Sequence, residues 1–218
     1  VLRGDDGEDT IHGEGGRDII DGGDHNDTVY GGAGNDRIEG SGGHDLLVGD
    51  DPEDMLTFGI DDLSGGSGND TLHGHGGVDV LSGGEENDLI YGGALGYFLS
   101  GNAGNDTIFG GDETGSNGDV IGGDEGNDSI LGEGGNDRIE AGAGNDTVFG
   151  GDGRDGINGL GGADLLYGGA DGDTLYGAWP DRGSGRARRR GAGHALWRRG
   201  ERHARRRQRG GCPLRRRR

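Results

Sequence analysis

Aspartate recurs every nine residues along most of this chain. It stands at Asp9, Asp18, Asp27, Asp36, Asp45 and Asp54, then at Asp70, Asp79, Asp88 and Asp106, and again at Asp119, Asp128, Asp137, Asp146, Asp155, Asp164 and Asp173. Tyr97 fills the slot between Asp88 and Asp106. Carboxylate oxygens at so regular an interval, each in a glycine-rich stretch that can offer backbone carbonyls, suit ligation of a hard cation. No nucleophile–base–acid set accompanies them, and the few serines and scattered histidines of the body form no catalytic constellation.

The elements that position these carboxylates show in the residue two after each slot. From Ile11 and Ile20 through Leu47, Leu56 and Leu72 to Leu166 and Leu175, it is Ile, Leu or Val in all 18 repeats. Seven extra residues, near 58–64, separate the first two tracts, and four, within 110–118, separate the second and third; both leave the pairing intact. The chain has 58 Gly in 218 residues and is only 28% apolar, too poor for an ordinary core of this length. A repeat architecture, or a ligand that supplies the missing stability, is therefore required. A three-residue strand has one inward side chain, which accounts for one aliphatic per repeat, and glycine suits turns that need positive φ.

The clearest copy is Gly31-Gly32-Ala33-Gly34-Asn35-Asp36-Arg37-Ile38-Glu39. The pattern Gly-Gly-x-Gly-x-Asp-x-aliphatic-x resembles the signature of the RTX (repeat-in-toxin) family, the haemolysin-type calcium-binding repeat, and the resemblance runs from Gly4 to Tyr176. It implies an all-β fold: a parallel β-roll, or right-handed β-solenoid, of about nine coils with two nonapeptides each. Six residues of each repeat would form a turn and three a strand. The resemblance implies Ca²⁺ between successive turns on one side of the roll, shared by repeats two apart, such as Asp9 with Asp27 or Asp128 with Asp146. All seventeen slot aspartates are candidate ligands.

Charge supports that reading. Residues 1–181 carry 40 Asp and Glu against five Arg, a net −35. Stacked turns would place like charges at close range, which is destabilising without a counterion. Mg²⁺ demands near-octahedral geometry and keeps its waters. Zn²⁺ would need Cys or His at regular spacing, and His12, His25, His44, His73 and His75 show none. The EF-hand spacing is absent. Unequal sites are expected: Tyr97 cannot ligate as Asp does, Leu95 replaces a turn glycine, Pro52 precedes Asp54, and His25, Glu86, Asn117 and Asp171 stand for the third glycine.

Other motifs dissolve into the repeat. Gly151-Asp152-Gly153-Arg154-Asp155-Gly156 matches a dinucleotide-binding pattern but is the nonapeptide in register. Arg3-Gly4-Asp5 is an integrin-type tripeptide that a Gly/Asp-rich chain readily produces. Three residues after the Asp slots, Tyr91 and Phe109 lie one coil apart, and Leu131, Phe149 and Tyr167 make a second column. Cross-strand packing on the outer face is the simplest account of both.

Residues 182–218 differ in kind, with 16 Arg and one acid, Glu201. One reading is a nucleic-acid-binding arm. The other is the same repeat translated out of frame. Shifted one base forward, the codons permitted for residues 193–204 allow Asp-Thr-Leu-Tyr-Gly-Gly-Ala-Gly-Asn-Asp-Thr-Leu, close to Asp27-Thr28-Val29-Tyr30-Gly31-Gly32-Ala33-Gly34-Asn35-Asp36-Arg37-Ile38. On that reading the tail is disordered and binds no nucleic acid.

The expected function is calcium binding that drives folding of a structural module in a secreted, extracellular protein. Residues 1–181 form the roll and residues 182–218 the tail. The alternatives are the repeat region of a secreted hydrolase or toxin whose catalytic domain lies elsewhere, and an adhesin or surface-layer protein. The roll itself is expected to be no enzyme. The body has no cysteine for disulfides and no apolar run of the ~20 residues a membrane helix needs. A start at Val1 and the lack of a signal peptide, a C-terminal cap or a secretion signal are expected of a piece of a longer protein. The family resemblance links such rolls to type I secretion machinery.

Overall fold

The computed structural model describes residues 1–50, 58–93, 95–112, 117–177, 186–188 and 194–195. Among them are 21 strands and no helix. The odd-numbered strands, from β1 (Leu2–Asp6) and β3 (Ile19–Asp24) to β19 (Thr174–Tyr176) and β21 (His194–Ala195), form one 11-stranded sheet. The even-numbered strands, from β2 (Thr10–His12) and β4 (Thr28–Tyr30) to β18 (Leu165–Gly169) and β20 (Arg186–Arg188), form a second sheet of ten. Every pairing is parallel, and the chain alternates between sheets at each repeat, so two nonapeptides close one coil. The fold is a parallel β-solenoid of about nine turns, as the nine-residue period implies.

Register follows from the core. Ile20 pairs with Ile38, and Ile90 with Ile108, each 18 residues on. The offset is 25 at the first insertion, where Ile38 pairs with Leu63, and 22 at the second, where Ile108 pairs with Ile130. A slip of one residue would turn every aliphatic outward, so each insertion lengthens the pairing offset by its own length and leaves the aliphatics in register.

The first insertion falls earlier than 58–64. Asp62–Ser67 is a regular strand of the first sheet, and Leu63 is fully buried between Ile38 and Leu81. The seven extra residues therefore lie between Asp45 and Asp61. Asp54 and Leu56, assigned to a repeat from sequence, lie outside the described residues.

Several strands exceed three residues. β3 runs through Gly22 and Gly23 to Asp24, and Gly23 pairs with Ser41 one coil on. The start of each turn keeps its parallel hydrogen bonds because the neighbouring coil presents the same backbone there. The Gly23 backbone has φ 114°, and a Cβ on it would strike the Asp5 carbonyl of the preceding coil. Where other residues stand for the third glycine, His25 (φ 81°), Glu86 (φ 72°) and Asp171 (φ 60°) accept the same left-handed conformation.

The outer faces of the two sheets differ. On the second sheet His12, Tyr30, Val48, His73, Tyr91, Phe109, Leu131, Phe149 and Tyr167 pair in succession, joining both sequence columns into one. Rings stack at 5.0 Å between Tyr91 and Phe109 and at 4.5 Å between Phe149 and Tyr167. On the first sheet the corresponding row includes Asp21, Glu39, Ser64, Ser82 and Ser100.

Most of 182–218 lies outside the described residues, and so does the expectation of disorder for it. Its two described segments continue the roll: Arg186–Arg188 beside Leu165–Tyr167, and His194–Ala195 beside Thr174–Leu175. No helix among the described residues is long and apolar enough to cross a membrane.

Truncating one core rung tests this architecture. Ile90→Ala, at a fully buried position, is expected to cost about 2–5 kcal/mol in denaturant unfolding with calcium present. Val80→Ala, on the half-exposed outer row of the first sheet, should cost well under that, within about 1 kcal/mol.

Candidate metal centre

Each slot aspartate sits where the turn enters a strand, its backbone tied to the following coil and its side chain to the preceding one. The Asp27 amide donates to Oδ1 of Asp45 at 2.8 Å, while Asp27 Oδ1 accepts the Asp9 amide at 2.8 Å. The Asp27 carbonyl accepts the Leu46 amide. Repetition of this bond makes two files. One runs Asp9, Asp27, Asp45, Asp70, Asp88, Asp106, Asp128, Asp146, Asp164 and leads into the second sheet. The other runs Asp18, Asp36, Asp61, Asp79, then Tyr97, Asp119, Asp137, Asp155, Asp173 and leads into the first.

Sixteen of the seventeen predicted aspartates therefore fall in the files, and the pairs Asp9–Asp27 and Asp128–Asp146 are direct neighbours. Asp54 is outside the described residues. The position between Asp36 and Asp79 belongs to Asp61, which sequence reading missed. A signal was available: Asp61 lies nine before Asp70 and two before Leu63. Counting forward from Asp45 reaches Asp54 first, with Leu56 in support, so the two directions disagreed.

The second carboxylate oxygen is the unusual one. Among the described residues, fifteen Oδ2 atoms, from Asp9 to Asp164, are buried without a hydrogen-bond partner. Burying an ionised oxygen unpaired is costly. Fourteen of them face the glycine that opens their own turn; at Asp146 the corresponding residue is Ala141. A Cβ added to Gly22 would lie 2.6 Å from Asp27 Oδ2 and 2.9 Å from the Gly40 carbonyl of the next coil, and one added to Gly31 would meet Asp36 Oδ2 and the Gly49 carbonyl, each at 2.7 Å. The same cradle of carboxylate and carbonyl oxygen recurs at Gly65 and Gly132. At these glycines a Cβ would crowd the cradle, whereas Ala141, at the corresponding position before Asp146, carries one.

Among the described residues no three His, Cys, Asp or Glu side chains converge. The donors here are instead one carboxylate oxygen with backbone carbonyls, all oxygen and no sulfur or nitrogen. That set suits Ca²⁺, which takes many oxygen ligands in flexible geometry, and does not suit Zn²⁺. The orphaned oxygens and the glycine cradles fit the cation that the repeat implies.

Burial governs the electrostatics. Desolvation pushes Asp79 up to about 8, Asp61, Asp88, Asp119 and Asp155 to about 7, and Asp45, Asp128 and Asp137 to about 6. The amide bonded to Oδ1 opposes that rise, and nearby like charges add to it, as Asp61 and Asp50 do for Asp79.

A solenoid with two files of buried carboxylates facing glycine carbonyls defines a calcium-binding repeat protein. The model of the RTX calcium-binding nonapeptide repeat matches residues 1–24, 21–56, 57–90, 98–113, 113–148, 122–157 and 149–179, and the chain belongs to that family. No curated protein matches the chain.

Two predictions follow from the cradle. Asp88→Asn keeps an oxygen for the Asp70 amide but removes the charge at Oδ2; the calcium midpoint of the whole roll should rise several-fold, read by titration of its circular dichroism. The second concerns pH. Carboxyls raised to about 6–8 on folding bind more protons folded than unfolded. Without calcium their contribution is fully present below about pH 4 and is lost as pH rises through 6 to 8. Protons and calcium compete for the same Oδ2, so the calcium midpoint should fall between pH 6 and 8; a flat midpoint across that window would refute the competition.

Proposed function

We propose that this chain is a calcium-triggered structural module of a secreted protein. The observation that carries the reading is the double file of buried Oδ2 atoms without partners. Within residues 1–181 only five Arg stand against 40 acids, and the one ion pair among the described residues, Arg138–Glu140 at 2.7 Å, lies on the exposed surface. The slot aspartates, with Asp61 added to the sequence-derived set, and the first-glycine carbonyls are the ligands in this reading. Bound calcium supplies the positive charge that these oxygens lack. Roughly 15 divalent ions would bring the body near neutrality, so that binding free energy becomes folding free energy.

Without calcium the acidic body is largely unfolded; at the about 10⁻⁴–10⁻³ M affinity of extracellular modules it folds outside the cell. Export of an unfolded chain by type I secretion machinery suits such a switch. The roll has no catalytic step of its own in this reading, because its slot carboxylates are committed to the files.

We read residues 182–218 as repeat sequence out of frame, with no evolved nucleic-acid function. Backbone register supports this. His194 and Ala195 pair with Thr174 and Leu175, the positions at which the shifted codons permit Thr and Leu. A coding sequence that gives no repeat when read one base forward there would refute it.

The switch is tested by titrating calcium into the chain under far-UV circular dichroism, with magnesium in parallel. A cooperative gain of β-signal at millimolar calcium or below, absent with magnesium, is expected. Full β-signal in chelator at pH 8 would overturn the proposal.

A further inference from the structure

Tyr97 takes the place of an aspartate in the file between Asp79 and Asp119, and its backbone behaves as an aspartate's would. Its amide donates to Asp119 Oδ1 at 2.8 Å, and its carbonyl accepts the Val120 amide at 2.9 Å. The side chain does something else. A Cβ added to Gly74, one coil before, would meet Asp79 Oδ2 at 3.0 Å, and one added to Gly110, one coil after, would meet Asp119 Oδ2. Between them, a Cβ on Gly92 would meet the Tyr97 ring at Cδ2, 3.0 Å away, and one on Gly93 would meet the Tyr97 hydroxyl. That hydroxyl donates to the His75 carbonyl at 2.7 Å, a turn carbonyl of the preceding coil. The ring is 1% exposed and belongs to the hydrophobic core.

We propose that Tyr97 is a built-in replacement for one calcium ion. The ring fills the cradle at Gly92, and the hydroxyl takes a turn carbonyl of the neighbouring coil. That cradle accepts no metal, and the junction from His75 through Tyr97 to Asp119 is held without calcium. The file into the first sheet is thereby divided into a run from Asp18 to Asp79 and a run from Asp119 to Asp173, while the other file is unbroken. The junction buries an aromatic ring where its neighbours bury an unpaired carboxylate oxygen. It is therefore the part of the roll that outlasts calcium removal.

This inference rests on the reading that the aspartate cradles hold calcium, and it is tested on the full chain in two ways. The first counts calcium bound at saturation by equilibrium dialysis. Tyr97→Asp is expected to bind at least one ion more than the parent chain, and Tyr97→Phe the same number as the parent. No gain in Tyr97→Asp, failure of that variant to fold in calcium, or a gain in Tyr97→Phe would overturn the proposal. The second follows amide hydrogen exchange of the parent chain in chelator. The Tyr97 and Val120 amides should exchange about tenfold or more slowly than the Asp137 and Gly156 amides, which make the same bonds at an aspartate junction. Equal rates would overturn it. A parent chain that binds no calcium would sink the functional proposal instead, and the exchange comparison would still decide the role of Tyr97.

Discussion

Charge burial governs this molecule. Each coil places a carboxylate under the next with one oxygen satisfied by an amide and the other facing a glycine and a carbonyl. A protein can bury ionised oxygens only by pairing them, protonating them or lending them to a metal. Within residues 1–181 pairing is limited by five Arg against 40 acids and the absence of Lys. Protonation is the recourse of the metal-free state, visible as the upward displacement of the buried carboxyls. The aliphatic columns give the coil its inside, but a single branched side chain per nonapeptide is a thin core. The files decide whether that core is allowed to close.

Much of this was legible in the residues because the period is simple and carries two independent marks, the aspartate and the aliphatic two places later. Both marks survive the insertions, so the number of coils and the inward positions away from the first insertion could be read directly. The insertion boundary could not. Asp54 with Leu56 and Asp61 with Leu63 carry identical marks, and the choice depends on which aliphatic is buried between Ile38 and Leu81. Spacing along the chain does not contain that contact. The role of Tyr97 was half legible: its type excludes carboxylate ligation, but the occupation of the Gly92 cradle by its ring is a three-dimensional fact.

The outer surfaces were read less completely. Two short aromatic columns were evident from 18-residue spacing, but the 22-residue step from Phe109 to Leu131 hid their continuity. The stacked rings along one sheet and the serines and acids along the other make the roll two-faced, although its backbone is nearly symmetric. The turns tolerate His25, Glu86 and Asp171 in left-handed conformations at a cost of about 1 kcal/mol or more each. Because each coil touches only its neighbours, such costs stay local.

The amide-to-carboxylate bonds all point one way. Apart from the step from Asp79 to Tyr97, these amides are received by the carboxylate of the following coil, never the preceding one. The stack is thus polar along its axis: within it, a coil offers its amides to the coil after it and its carboxylate oxygens to the coil before it. Cutting the roll at any junction therefore leaves unlike faces, amides without carboxylates on one side and carboxylates without amides on the other.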